Sequence, residues 1–476
     1  MPATEICVLG GGPAGSTIAR QLARLGHQVV LVEKHAFPRP QVGESFSVGI
    51  FSLLDALGLR ERVEQAGLLR PHGVRLSWGP PDRLAPDDFA ATGFQADRGR
   101  FDHLLLAAAH EAGVTVLQPA RAQAPVYAAG RWRIPIEQHG QLTELTARYL
   151  VDATGRRGGL PGRRHRFAAP TLALHGYWHD CPLARVPTTY LEAAPTHWLW
   201  GGPLPDRTFA VTVFLDARRP DAPKGEPLDE RYRALLGQSE LLRGCLSGRL
   251  QLPLEARDAT PTYAACPVDN TFIRVGDANF SLDPLATQGV QTALAGAMQG
   301  SAVVHTILTQ PDNQAAAIDF YNSRQQEAVR QHRAMARQYY AAPAHWQHLP
   351  FWAVRAAGPV PAPPPAAGPL PLPAPHTLVQ RAAQTEIVTL PCLTGSSIAY
   401  GKAVKHAGLA RPVAYWAGIE LAPLLELLVR AQTVADIVRE WATRIPATQA
   451  LPLFRWLWSQ QIVVASPTAS PGNSEE

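Results

Sequence analysis

The sequence predicts a mixed α/β (α+β) chain: a large domain built on a helix-flanked parallel sheet, a β-rich insertion within it, and a small C-terminal module. Three observations carry this. A short apolar run, Ile6 to Leu9, leads into a glycine turn, a helix-length segment and a second apolar run, "QVVLVE". Prolines, 44 in the chain, are densest in "GPVPAPPPAAGPLPLPAP", Gly358 to Pro375. Beyond them, residues 376–465 return to helical spacing.

The chain's 476 residues suggest about two or three domains. Its 46% apolar content is that of an ordinary globular protein. The net charge of +5 comes without a long basic run, which argues against nucleic acid. Five cysteines show no zinc spacing and suit a reduced compartment. No metal site is expected. The N-terminus enters a strand directly, and no apolar stretch of about 18 residues exists. The expectation is a cytoplasmic protein that does not engage a membrane.

The first element is the strand from Ile6 to Leu9. Gly10, Gly12 and Gly15 follow with GxGxxG spacing, a Rossmann-type signature. The first makes the tight turn, the second admits a pyrophosphate, and the third lets helix pack on strand. Pro13 and Ala14 open a helix running to about Leu25, whose N-terminal amides aim at that pyrophosphate. Gly26 ends it. Glu33 closes the second strand, beside Lys34, where a carboxylate accepts from ribose hydroxyls. The full unit marks a dinucleotide site; an ordinary glycine turn leaves Glu33 unexplained.

Four later segments narrow the dinucleotide. "FPRPQVGES" contains Gly43, Glu44 and Ser45. "DRGRFDHLLLAAA" begins a helix with Arg98, Phe101 and Asp102. "YLVDATGRRG" is a strand ending in a glycine turn. "FIRVGDANFSLDPLATQGVQTALAGA" runs strand, Asp277, loop, then a helix starting near Gln288, Gly289 and Val290. This set, over residues 4–345, resembles the FAD-dependent monooxygenase and tryptophan-halogenase superfamily. The resemblance implies FAD, with a substrate-binding sheet inserted at about 165–265. It implies that Asp277 bonds the ribityl or pyrophosphate part and that Arg98 reaches FAD. Residues 43–45 would lie along the flavin. The amides of residues 288–290 would face flavin N1 and O2 and favour an anionic reduced ring. A salt-bridged Arg98 and an N-cap Asp277 are the plainer alternatives.

"HWLWGGP", His197 to Pro203, resembles the halogenase signature WxWxIP, with Gly202 in place of isoleucine. Halogenases also carry a lysine that captures hypohalous acid. In "LLRPHGVRLSW" Pro71 takes that position, between Arg70 and His72. Arginine stays charged and proline has no side-chain nitrogen, so hydroxylation is expected instead. In that chemistry reduced FAD takes O2 to a C4a-hydroperoxide, whose distal oxygen an electron-rich ring attacks. NAD(P)H or a separate reductase would supply electrons. His72, His175 and His197 are acid–base candidates, His197 foremost; Trp198 and Trp200 read as packing.

The linker is expected over 346–375, the C-terminal module over 376–465, and a disordered tail over 466–476. "IELAPLLELLVRA" and "QTVADIVREWATRI" read as helices, the second capped by Thr433. "TQALPLFRWLWSQQIVVAS" reads as a third helix and a strand. The pattern resembles peptide-binding winged-helix modules of enzymes that modify ribosomal peptides. Its last helix has one arginine and no lysine, which is poor for phosphate contacts. The whole arrangement is similar to the flavoproteins that hydroxylate a peptidyl tryptophan during cysteine tryptophylquinone maturation of quinohemoprotein amine dehydrogenase. A polypeptide substrate, with its other maturation enzyme, is the partner this implies. A small-molecule aromatic hydroxylase, a halogenase and a non-catalytic maturation chaperone stay open.

Overall fold

The protein is described by a computed structural model covering residues 3–79, 93–218, 227–358 and 371–466. Two compact units emerge: residues 1–308 with 321–361, and residues 309–320 with 362–476.

The first unit is organised by the strand Ala3–Leu9, buried from Ile6 to Leu9 as a central parallel strand must be. It pairs in parallel with Val29–Val32 on one side and Gln141–Asp152 on the other. Thr115–Leu117 extends the sheet beyond Val29–Val32, and Phe272–Arg274 adds in parallel to Gln141–Asp152. The helix Pro13–Arg24 crosses between the first two strands. All parallel strands therefore end on one edge, where the loops carrying the expected cofactor residues collect.

A second sheet, of seven strands, holds the insertion. Its middle is the antiparallel run Thr171–His179, Phe209–Asp216, His197–Pro203 and Thr188–Ala194. Gly73–Ser77 joins its edge in parallel with Thr188–Ala194, so the insertion recruits a strand from outside 165–265. A three-stranded sheet of Arg164–Arg166, Thr262–Ala264 and Phe280–Ser281 follows. The long helices Gly289–Thr309 and Gln314–Ala341 complete the main elements.

The linker reading needs correcting at its start. Pro350–Ala356 is a helix, with Phe351 and Trp352 buried beside Trp78, Trp198 and Tyr340. Burial of two large rings outweighs the tendency of proline to end structure, because Pro350 sits in the first turn where no donor is needed. Residues 359–370, the centre of the proline run, and 467–476, the expected tail, lie outside the described residues.

In the second unit, Leu378–Arg381 pairs with Gln432–Thr433 and Val463–Ala465. The helices Ala422–Glu426, Val434–Trp441 and Ala447–Ser459 close one core. Thr433 caps the middle helix by accepting from the Asp436 amide. Leu453, Phe454 and Leu457 are fully buried there, whereas Trp456 and Trp458 stay half-buried. A long hairpin, Glu386–Thr394 with Ser397–Lys405, adds Val404 to this core. Tyr415–Trp416 pairs with Ile419–Glu420 in a short two-stranded sheet. No helix among the described residues is long and apolar enough to cross a membrane.

Candidate functional site: a dinucleotide cradle with a buried carboxylate

The glycine turn is built as its spacing predicts. Gly10 has φ +100°, and a Cβ there would lie 2.5 Å from the Ala153 carbonyl oxygen. A Cβ on Gly15 would lie 1.9 Å from the Gly10 oxygen, so helix and turn are in contact. Gly12 differs. Its Cβ would meet only the Arg39 guanidinium, at 3.9 Å. The turn therefore offers open space at Gly12, which a pyrophosphate can fill. The helix behind it has Pro13 in its first turn, no side-chain cap and no acid in that turn. Its amide end is left for an anion.

Glu33 is buried, with Oε2 accepting from the Gly11 amide at 2.7 Å and Oε1 from the His35 amide at 2.8 Å. Each carboxylate oxygen keeps a second lone pair for a hydroxyl donor. Lys34 next to it is exposed.

Three further segments converge on this turn. Gly276 has φ +58°, and its Cβ would lie 2.7 Å from the Ala14 methyl, which sets Asp277 beside the helix start. Asp277 is 40% exposed and 3.5 Å from Arg156; it lies within a short 3₁₀ turn and is not a helix N-cap. Ser47 bonds Gln291, one residue past Val290, so the 43–47 segment meets the start of the helix Gly289–Thr309. Gly289 is exposed, and a Cβ there would meet nothing within 4 Å. Gln288 and Val290 flank it, half-buried. The cradle is thus lined by two helix N-termini and a carboxylate, with open space at Gly12 and Gly289.

Arg98 is tied to the protein on every side. Its Nε donates to Asp102 Oδ1 at 3.1 Å, and Nη1 donates to the Val42 and Gly43 carbonyls. It is buried and salt-bridged, so the structure gives it the work of clamping Gly43, where φ is +105°. Asp102 also holds Arg39, at 3.4 Å.

Glu44 is the centre of a buried cluster that the sequence did not reveal. Its Oε1 accepts from Tyr177 Oη at 2.5 Å and lies 3.4 Å from His175 Nε2. Its Oε2 accepts from the Gly43 amide at 2.8 Å. His175 Nδ1 lies 2.7 Å from Thr212 Oγ1. Burial alone would push the Glu44 carboxyl up. The imidazole of His175 nearby and the bonds from Tyr177 and Gly43 outweigh it and hold the group down at about 2. Tyr177 is driven well above its usual range by burial and then by the Glu44 charge, so it stays a donor. Glu44 is therefore a fixed anion beside the cradle. His175 and Tyr177 are two apart on the strand Thr171–His179, hence on one face. That alternation was visible in the sequence; its partner, more than 130 residues away, was not.

His197 opens the strand His197–Pro203, with Nδ1 3.3 Å from Thr196 Oγ1 and its side chain enclosed. It is not one of the groups around Glu44. Trp198 stacks on Phe214 at 3.8 Å and is 1% exposed, which is packing. Trp200 is buried in the same cluster. Pro71 is buried just before the strand Gly73–Ser77, while His72 and Arg70 are exposed and Arg70 pairs with Glu64. Among the described residues no cluster of His, Cys, Asp and Glu is arranged to hold a metal.

Comparison with known proteins finds an FAD-binding relationship. Residues 3–166 match the FAD binding domain family. A tryptophan 2-halogenase of Chondromyces crocatus is 32% identical over 343 residues, covering 67% of this chain and 64% of that protein. The chain thus spans just under two thirds of that relative's length. Among solved structures, the peptidyl tryptophan dihydroxylase QhpG, described as essential for tryptophylquinone cofactor biogenesis, superposes with a TM-score of 0.75 at 26% identity. That match covers 96% of this chain and 99% of QhpG. The flavin-dependent halogenase CmlS shares the fold, with a TM-score of 0.74 at 18% identity over 98% of this chain and 97% of CmlS.

Proposed function

We propose that the chain is a flavin-dependent monooxygenase of the halogenase-like superfamily, hydroxylating a tryptophan within a polypeptide. The observation that carries this reading is the likeness to QhpG, which extends through the C-terminal unit and not the FAD-binding part alone. Pro71 supports it, since no ammonium stands where a halogenase needs one. A quinone-forming maturation pathway is the corresponding biological setting, and the cytoplasm the expected place.

FAD, when bound, supplies the chemistry that couples O2 and an electron donor to ring oxidation. The chain's residues do the rest. The Gly12 turn and the helix start at Pro13 hold the pyrophosphate. Glu33 orients a ribose. The amides at Gln288 to Val290 stabilise negative charge at the ring edge, as a helix N-terminus does for any anion. Arg98 fixes Gly43, and Tyr177 with His175 fixes Glu44, so the segment alongside the ring is held in one conformation. The helix N-termini, one carboxylate and a rigid strap are what this chain contributes.

Intact-mass measurement on candidate polypeptides, with reduced FAD and O2, tests the proposal. A gain of one or two oxygens on a tryptophan is expected. Oxygen uptake that ignores every polypeptide but follows a free aromatic compound would place the enzyme among small-molecule hydroxylases. Bound flavin with no substrate-dependent oxygen uptake would make it a non-catalytic chaperone. Halogenation is a second reading, favoured by the 32% identity to a tryptophan 2-halogenase. The same assay with bromide decides it, because an enzyme-dependent brominated product excludes the hydroxylase reading.

A further inference from the structure

At one edge of the seven-stranded sheet, two short turns bring two thiols together. The strand Thr171–His179 runs out into the 3₁₀ turn Pro182–Arg185, with Cys181 immediately before it. The 3₁₀ turn Arg243–Ser247 carries Cys245 and leads into the strand Arg249–Leu250, which pairs with Trp178 and His179. The two backbones touch there. A Cβ on Gly248 would lie 2.7 Å from the His179 carbonyl oxygen and 3.3 Å from the Cys181 Cα. Backbone bonds close each turn: the Ala184 amide donates to the Cys181 carbonyl at 3.0 Å, and the Gly248 amide to the Cys245 carbonyl at 2.9 Å.

The side chains meet as well. Cys181 Sγ lies 3.0 Å from Cys245 Sγ, inside the core that Trp178, Tyr190, Leu242 and Leu250 help to form. A disulfide has about 2.05 Å between its sulfurs, so a shift of about 1 Å, shared by two side chains, closes the gap. Packing requires two small apolar side chains here and does not require sulfur at both. The two thiols are not equivalent. Cys245 is fully enclosed, whereas Cys181 is 4% exposed. Cys245, donating to it, pulls the Cys181 thiol below its ordinary range against burial, with the Leu183 and Ala184 amides adding to the effect. The same contact and burial push Cys245 up. The thiolate is the nucleophile in thiol oxidation, so Cys181 is the sulfur that reacts first.

We propose that Cys181 and Cys245 form a reversible disulfide when the protein meets hydrogen peroxide. The Cys181 thiolate attacks one peroxide oxygen, the O–O bond breaks, and hydroxide leaves behind a sulfenic acid. The Cys245 sulfur then attacks the Cys181 sulfur, the S–O bond breaks, and hydroxide departs with the Cys245 proton as water. Two thiols lose two electrons and two protons, and one peroxide becomes two waters. In a reduced compartment such a bond is a response to oxidant and not a permanent staple. The strand it anchors is the one that carries His175 and Tyr177 to Glu44. This chemistry is independent of which substrate the flavin site oxidises.

The test uses the full-length, FAD-loaded protein, fully reduced, freed of reductant and treated with a small excess of hydrogen peroxide. Intact mass is expected to fall by two hydrogen atoms. A digest kept free of reductant should contain the peptide of Cys181 joined to that of Cys245, and dithiothreitol should reverse both changes. The oxidised protein should melt several degrees above the reduced one, because the cross-link restricts the unfolded chain. C181S and C245S should lose that difference, with flavin absorbance reporting that each is folded; the wild-type mass and digest stand without either variant. In C245S the sulfenic acid has no thiol to meet, so dimedone should label Cys181. Peroxide that leaves both thiols free, or oxygenates them without joining them, overturns the inference. So does a joined pair that leaves the melting temperature unchanged or lower. Dimedone labelling of Cys245 in C181S, and not of Cys181 in C245S, overturns the order of attack.

Discussion

Gly12 and Gly15 sit three residues apart and impose different demands. A methyl at Gly15 runs into the Gly10 oxygen, whereas one at Gly12 enters space. Gly15→Ala should therefore lower the melting temperature. Gly12→Val should leave it nearly unchanged and yield colourless protein after purification. Full yellow absorbance in Gly12→Val would remove the pyrophosphate from this turn. His332 gives a pH prediction. It is 5% exposed, and Nε2 accepts from the Asp283 amide at 3.2 Å. Burial lowers it from the ordinary 6.5 of a histidine to about 4, against the opposing pull of that backbone contact. Between those values the unfolded chain binds the proton and the folded one does not. Stability is thus complete above about pH 6.5 and falls as the pH drops toward 4, by roughly 3 kcal/mol at most. Thermal melts from pH 7 to 4 should show this slope, and His332→Gln, which keeps an acceptor, should flatten it.

At the scale of elements, the strand His197–Pro203 is buried along its whole length. Its alternation of tryptophans reads as a motif in the sequence and acts as core in the fold, because both faces of this strand are covered. Trp198→Ala should cost about 3–5 kcal/mol in denaturant unfolding, with the flavin content of the surviving folded protein unchanged. Helices behave more simply. The cap at Thr433 was visible from residue type and position, since capping needs only neighbours three residues away. Thr433→Ala should cost roughly 1 kcal/mol, measured as a shift of the C-terminal unit's transition. The linker expected from residue 346 starts later, because Pro350 in a first turn is compatible with the helix Pro350–Ala356.

For the whole molecule, the second unit is not one stretch of chain. Residues 309–320 belong to it, with Gln310 bonded to Ser397 at 2.8 Å and Asp319 to Tyr400 at 2.7 Å. A chain ended at Gly358 keeps every cradle residue and strips those partners. It should retain flavin, melt at lower temperature, and lose more kcat/KM on a polypeptide than on a short tryptophan peptide. Equal loss on both substrates would show that the C-terminal unit only supports the fold.

The sequence by itself determined the glycine turn, the acidic strand end and the C-terminal helices. Each rests on interactions between residues close in the chain, or on a backbone conformation that one residue type enforces. Tertiary structure decided the rest. Arg98 holds Gly43 because Asp102 and two carbonyls lie within its reach. Glu44 became a buried anion because a strand beginning at Thr171 brings His175 and Tyr177 against it. Cys181 and Cys245 meet because two turns distant in sequence pack against each other. A carboxylate's charge and a thiol's partner depend on which groups lie within a few ångströms, and only the folded chain sets those distances.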